Sequence, residues 1–155
     1  MRREDETTGE TAGVTVRDAQ AADGPIIVEL IRELARTENV ESGVTAGLVE
    51  EYRAHGDSGI LVAELGGEVV GMLSWFVRPG LFHGGHWGYI DELIVTAAVR
   101  GRGVGDALMN AVMGRFKAAG CGEAAVSTVF GNDRAAALYR KHGLVDEALQ
   151  LEKHF

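Results

Sequence analysis

Three sets of residues in this 155-residue chain could do chemistry. The first is Arg100-Gly101-Arg102-Gly103-Val104-Gly105, a glycine-rich turn with two cations. Bulky apolar Ile90, Leu93, Ile94 and Val95 precede it and predict a strand over Gly88–Val95. Ala107, Leu108, Ala111, Val112 and Phe116 follow at helical spacing and predict an amphipathic helix over Gly105–Ala119. Such a turn leaves the first backbone N–H groups of the helix unpaired. With the helix dipole they form a site for anions, phosphates above all. The second set is Asn132, Ala135 and Tyr139 on a later helical segment. Tyr139 stands two turns beyond Asn132, so one face can offer an amide and a phenol to one ligand, although Asn132 would equally serve as a helix cap. The third is Asp91-Glu92, adjacent carboxylates of the type a proton acceptor requires.

The phosphate ligand can be narrowed by spacing. A dinucleotide fold wants G-x-G-x-x-G near the start of a βαβ unit, and glycines at 101, 103 and 105 do not fit it. A nucleoside-triphosphate loop needs G-K-[ST], which the chain lacks. The pattern met by Arg100, Gly103 and Gly105 is R-x-x-G-x-G/A. It resembles the acetyl-CoA pyrophosphate loop of the GCN5-related N-acetyltransferase (GNAT) superfamily. Asn132, Ala135, Leu138, Tyr139, Lys141 and Gly143 match N-x-x-A-x-x-L-Y-x-K-x-G, which is similar to the second acetyl-CoA motif of that superfamily. Leu144 departs from it, where phenylalanine is common.

The resemblance implies acetyl-CoA as co-substrate and a role for each set. The backbone of Leu93, Ile94 and Val95 would contact the cofactor arm, with an N–H of this strand polarising the thioester carbonyl. Arg100, Gly101, Arg102, Gly103, Val104, Gly105 and Asp106 would form the pyrophosphate loop, and Asn132 and Ala135 would border the arm. Tyr139 would protonate the leaving thiolate. Tyr89-Ile90-Asp91-Glu92 resembles the acidic pair of spermidine/spermine-type acetyltransferases, where the first acid, here Asp91, is the base candidate. Successive strand residues point to opposite faces, so only one of Asp91 and Glu92 is expected to face the acetyl group, with Glu92 open as the choice if the strand bulges. Glu33, Glu38 and Glu41 would border a cationic acceptor, and the loop Leu81–Trp87, with His83 and Trp87, would wall the pocket. His83 and His86 are spaced H-x-x-H, but no further ligand pattern joins them, so no metal is expected.

These residues need elements to hold them. Val14–Arg17 alternates and predicts a first strand. Asp23-Gly24-Pro25 starts a helix that Ile26, Ile27, Leu30, Ile31 and Leu34 carry to about Thr37. A weaker helix spans Thr45–His55. Ser58–Leu65 and Val69–Val77 read as a hairpin closed by Gly66-Gly67. The strand, turn and helix of the opening set follow. Gly120-Cys121-Gly122 ends that helix, Ala124–Val129 is a fifth strand, Asn132–His142 a short helix, and Leu144–Glu147 and Leu149–Phe155 two final strands. The order β-α-α-β-β-β-α-β-α-β(-β) is an α/β fold with a mixed (α+β) sheet, and it resembles the GNAT acyl-CoA N-acyltransferase fold from Val14 onward.

Composition bounds the partners. The length suits one domain, 13–155, after a polar tail, Met1–Ala12, expected to be disordered. Lys and Arg number 15 against 23 Asp and Glu, a net charge of −8, which argues against nucleic acid as a partner. No apolar run reaches the length of a membrane span, and the N-terminal residues lack the apolar core of a signal peptide. The lone Cys121 excludes an internal disulfide and fits a reducing cytoplasm. Many folds of the resembled type pair through their C-terminal strands, and Leu149–Phe155 offers a short strand edge with apolar Leu149, Leu151 and Phe155, so the resemblance implies a homodimer. The leading reading is N-acetyl transfer to a primary amine of a small cationic molecule. A protein N-terminus or lysine is the second acceptor class, and an acyl-CoA-binding domain without turnover is a third reading.

Overall fold

The computed structural model describes residues 13–82 and 84–155; the N-terminal tail and His83 lie outside them. Strands β1 (Val14–Asp18), β2 (Ser58–Leu65), β3 (Glu68–Gly80), β4 (Gly85–Val95) and β5 (Cys121–Val126) form one sheet in that order. The first four run antiparallel to their neighbours, and β5 runs parallel to β4. A parallel pair needs a crossover, and helix α3 (Val104–Ala118) supplies it. The other helices are α1 (Gly24–Thr37), α2 (Ala46–Ala54) and α4 (Asp133–Lys141). The expected mixed α/β architecture is therefore present. Gly66 and Gly67 close the β2–β3 hairpin with φ of +62° and +83°, the pair of positive values a type I′ turn demands.

The sheet is covered on both faces. Leu61, Leu73 and Ile90 pack against Ala107, Leu108, Val112 and Phe116 of α3. Ile60, Val62, Met72 and Ile94 pack against Ile27 and Leu30 of α1 and Val49 of α2. Neighbouring residues of β2 feed opposite clusters, which is why the strand reads as a continuous apolar run and not as an alternation. The α3 face is filled very tightly. A Cβ on Gly88 would stand 2.4 Å from Phe116 Cδ1, and one on Gly59 would stand 2.7 Å from the Trp75 ring. Both glycines exist to admit an aromatic ring to the sheet. Trp75 and Phe116 then meet edge to face at 6.3 Å.

Two expectations fail. Neither Leu144–Glu147 nor Leu149–Phe155 is a strand, and β5 closes the sheet. Leu149, Leu151 and Phe155 are exposed, so their pattern has nothing within one chain to bury it. A strand needs a partner for its backbone, and none is offered here. The fifth strand also begins earlier than its apolar residues imply, at Cys121 opposite His86, because pairing with β4 sets its limits.

Two irregularities prepare the site. The β4–β5 ladder stops at Ile90 opposite Val126, while β4 continues to Val95. Between β3 and β4 the register passes from Leu73 opposite Leu93 to Trp75 opposite Ile90. Asp91 and Glu92 together therefore oppose the single residue Ser74, which is a β-bulge.

Candidate active site

The bulge decides how the acidic pair is presented. Strict alternation would send Asp91 and Glu92 to opposite faces, and this expectation is overturned. Asp91 Oδ2 accepts a hydrogen bond from the Tyr52 hydroxyl of α2 at 3.2 Å. Glu92 lines a cleft that also touches Tyr52 and Ser74. Both carboxylates thus point to the α1–α2 face. Ser74, only 2% exposed, holds the distortion in place. Its Oγ accepts the Glu92 N–H at 2.9 Å, the donor a bulge would otherwise orphan, and donates to the Glu92 carboxylate. Burial pushes the Glu92 carboxyl above the usual range, with Asp91 adding to the effect and Ser74 opposing it. Burial, followed by Asp91 and Glu92, pushes the Tyr52 phenol well up, so it stays protonated and donates. Asp91 itself is exposed.

The cleft is about 410 Å³ and lies between α1, α2 and the sheet. Ser42, Gly43 and Val44 of the α1–α2 loop form one lip. Glu41 adjoins this lip and is exposed, as is Glu38 at the end of α1. Glu33 does not reach the cleft. Its carboxylate accepts the Thr96 hydroxyl at 3.1 Å and the Ala97 N–H at 3.1 Å, tying α1 to the turn after β4. Trp87 is also elsewhere. It packs edge to face with Phe76 and Tyr89 towards the tip of the β3–β4 hairpin, with the Arg78 guanidinium over its ring at 4.9 Å. The last three residues of the expected loop Leu81–Trp87 are strand, because β4 begins at Gly85. His83 is outside the described residues, among which no group of three His, Cys, Asp or Glu could hold a metal.

The open half of β4 is the second component. Thr96 N–H donates to Val70 O of β3, and Glu92 N–H to Ser74. By alternation Ile94 also faces β3, opposite Met72, and Leu93 and Val95 turn their peptide groups to the side that β5 has left. Of the three expected arm contacts, Leu93 and Val95 therefore have amides with no partner among the described residues, and Ile94 is committed to the sheet and buried. Arg100 is anchored to the same edge, its Nε donating to Val95 O at 3.1 Å.

The turn and α3 supply the third component. Gly101 and Gly103 have φ of +79° and +83°, with open space where a Cβ would lie at Gly101. Gly103 caps α3 without a side-chain bond, and the first amide of the helix to bond back is Ala107 to Gly103 O. The N–H groups of Val104, Gly105 and Asp106 are thus available to an anion. Arg102 is exposed, and neither it nor Arg100 makes an ion pair among the described residues. Gly105 has a different duty from its two predecessors. A Cβ there would stand 3.0 Å from Leu138, so this glycine lets α4 approach α3. Asp106 is likewise structural, since Lys141 Nζ and His142 Nε2 of the α4 end contact it at 2.9 and 2.8 Å. Lys141, with burial opposing and His142 assisting, holds its carboxyl below the usual range.

Helix α4 carries the last component. Asn132 is its cap, Oδ1 accepting Ala135 N–H at 3.2 Å, which commits both to the first turn. Tyr139 is buried at 8% exposure in the cluster that includes Leu93, Val95 and Val126. No hydrogen bond reaches its hydroxyl among the described residues. Burial, with Tyr89 adding to it, pushes the phenol up to about 12, so it holds its proton at neutral pH. Cys121 packs at the start of β5 with its thiol pushed up by burial, which leaves it a poor nucleophile. Sequence reasoning missed Ser74 and Tyr52. The one signal was Ser74 itself, a lone hydroxyl inside the apolar run VVGMLSWFV.

The described residues thus join a mixed sheet that opens beyond Ile90, a helix N-terminus with no side-chain cap and a buried phenol in the cluster against which the open strand packs. The profile of the acetyltransferase (GNAT) family matches residues 28–144, and the chain belongs to that family. It is an acyltransferase, and acetyl-CoA is the co-substrate of its family. Glucosamine 6-phosphate N-acetyltransferase of Arabidopsis thaliana is 24% identical over 132 residues, 83% of this chain and 87% of the relative. Its crystal structure superposes with a TM-score of 0.75 over 94% of this chain and 99% of that one. A Bacillus halodurans protein described as a transcriptional regulator gives 0.82 at 26% identity, over 92% and 99%. An aminoglycoside acetyltransferase from a soil metagenome gives 0.76 at 20% identity, over 92% and 95%. No helix among the described residues is long and apolar enough to cross a membrane.

Proposed function

We propose that this protein transfers acetyl from acetyl-CoA to the primary amine of a small cationic molecule, by direct attack, with Glu92 as base and Tyr139 as acid. The observation that carries the reading is the open edge of β4. Leu93 and Val95 turn their N–H groups to the side that β5 has left, the N–H groups of the first turn of α3 follow along the chain, and Tyr139 lies in the cluster against which Leu93 and Val95 pack. The glycine turn, Arg100 and Arg102 fit a pyrophosphate, and the Leu93–Val95 edge fits an amide-bearing arm that pairs like a strand. When bound, acetyl-CoA supplies the activated acyl group.

The chain's own residues do the rest. Glu92 takes a proton from the ammonium and passes it to solvent, since an amine of pKa near 10 is only about one part in a thousand neutral at pH 7. An N–H of the open edge polarises the carbonyl while the amine nitrogen bonds to its carbon and the carbon–sulfur bond breaks. Tyr139 gives its proton to the sulfur and recovers one from the acetylated nitrogen. The acetamide, the free thiol and one proton leave. Of the acidic pair, Glu92 is favoured because it is part-buried and lines the cleft, whereas Asp91 is exposed and tied to Tyr52. The likeness to spermidine/spermine-type enzymes rests on this pair, and the shared feature extended here is an ammonium met by carboxylates.

Thermal shift with acetyl-CoA, CoA, NAD and ATP tests the cofactor. Acetyl-CoA and CoA should raise Tm in proportion to the logarithm of concentration, and Arg100→Ala should weaken CoA more than pantetheine. No preference over NAD and ATP would sink the reading. We also infer that two chains pair through Leu149–Phe155, whose apolar side chains stand exposed. Light scattering at micromolar protein should give twice the chain mass, and a concentration-independent monomer would refute the pairing.

A further inference from the structure

The cleft that would receive the acceptor has a lining at odds with the sugar acceptors that two of the related enzymes are named for. Ile27, Ile31, Val44, Leu48, Ile60 and Met72 supply most of its wall. Leu48 is 52% exposed at the mouth, a large aliphatic side chain left half in water where a ligand could cover it. Among the described residues, Glu92 is the one charged member of the lining, and no Lys, Arg or His joins it. The polar groups are few. The Ser74 hydroxyl is spent on the Glu92 N–H and carboxylate and the Tyr52 hydroxyl on Asp91, while the Ser42 hydroxyl at the lip accepts the Val44 N–H.

This chemistry discriminates among amines. A phosphate has no cation to meet in the cleft. Ring hydroxyls would lose water and find too few partners, a penalty an apolar site imposes on any polyol. A second ammonium, as in a polyamine, would lie along aliphatic side chains, because Asp91 is engaged by the Tyr52 hydroxyl and stands outside the lining. A single ammonium at Glu92 with a hydrocarbon body along α1 and α2 leaves no group unmatched. At about 30 Å³ for each water displaced, the space admits roughly a dozen heavy atoms.

Resting on the acetyltransferase reading, we propose that the acceptor is a monoamine with an apolar body, an alkylamine or arylalkylamine whose hydrocarbon part fills the cleft between α1, α2 and the sheet. The cleft acts as a sieve for hydrocarbon length, and Glu92 at its floor receives the amine end where the acetyl group is transferred.

Thiol release from acetyl-CoA tests this with primary n-alkylamines of two to fourteen carbons, 2-phenylethylamine, glucosamine, glucosamine 6-phosphate, spermidine and a peptide with a free N-terminus. kcat/KM should rise about three- to fourfold per methylene until the cleft is full, then level off. 2-Phenylethylamine should exceed both sugars and spermidine by at least about tenfold. Leu48→Glu, a surface change at the mouth, should flatten the length series while the acetyl-CoA thermal shift persists. A length-independent series, or preference for a sugar, spermidine or the peptide, would overturn the proposal and leave the acetyltransferase reading standing. So would a thermal shift by acetyl-CoA with no amine accepted. No acetyl-CoA shift and no turnover would overturn both.

Discussion

The two faces of the sheet are built by opposite rules. On the α3 face two glycines vanish beneath aromatic rings, Gly88 under Phe116 and Gly59 under Trp75. On the α1–α2 face the helices stand off a cleft of about 410 Å³, and β4 bulges two carboxylates towards that side over a single serine. Close packing fixes the frame, and underpacking with a costly buried charge leaves room for chemistry. A perturbation on the filled face should change stability and spare turnover in the folded fraction, and one at the floor of the cleft should do the reverse.

The largest expected effect is at Glu92. Glu92→Gln removes the base with little change of volume, and kcat should fall by roughly 10²–10⁴. Tm should hold or rise, because a part-buried carboxylate whose charged form is disfavoured by burial is gone. Since that carboxyl titrates above the usual range near 4.3, wild-type kcat/KM should decline on the acidic side from a pH higher than an ordinary glutamate gives. The variant should lose that limb and recover in part at high pH, where the amine arrives neutral. A collapsed profile for Asp91→Asn with a normal one for Glu92→Gln would reverse the assignment within the pair.

Next is the filled face. Gly88→Ala places a methyl 2.4 Å from the Phe116 ring, and overpacking of this kind costs about 1–3 kcal/mol. At this chain length that is a Tm fall of roughly 2–10 °C. Denaturant midpoints should shift with kcat unchanged where the protein is folded. An equal loss of kcat would mean the two faces are coupled and the contrast is false.

The smallest effect joins the faces' common edge. Asp106→Asn removes the tie from α3 to Lys141 and His142, a partly exposed network worth about 0.5–1 kcal/mol. The carboxyl is depressed in the folded state, so its contribution is fully present above the unfolded value near 3.9 and disappears as pH falls through the folded one. The Tm gap between wild type and variant should therefore close in acid. A gap that does not narrow at all as the pH falls below about 4 would assign the loss to packing.

Local signals were the legible ones. The glycine turn, the helices α3 and α4, the Gly66-Gly67 hairpin and the mixed order of elements are written in neighbouring residues, since turn chemistry and helical period act within a few positions. Pairing is different. The bulge at Asp91-Glu92 exists because β3 offers one residue where β4 offers two, and no window on β4 alone contains that fact. The same limit explains Leu149–Phe155, which alternates like a strand but has no partner in one chain. Roles set by distant contacts were hidden too. Glu33 reads as an acceptor contact and serves as a tie to Thr96 and Ala97. Gly105 reads as a phosphate glycine, and its further duty, seating Leu138, is set by a helix more than thirty positions away.

The free edge of β4 has a consequence for amide exchange. Leu93 and Val95 point their N–H groups into the gap beyond Ile90, while Ile94 and Thr96 point theirs at β3. Deuterium should enter positions 93 and 95 at the pace of a loop and positions 94 and 96 at the pace of the core. Within one unbroken strand the exchange clock then runs fast and slow at alternate residues. Any molecule that seats itself along that edge, whatever its far end carries, must slow the fast pair and leave the slow pair untouched.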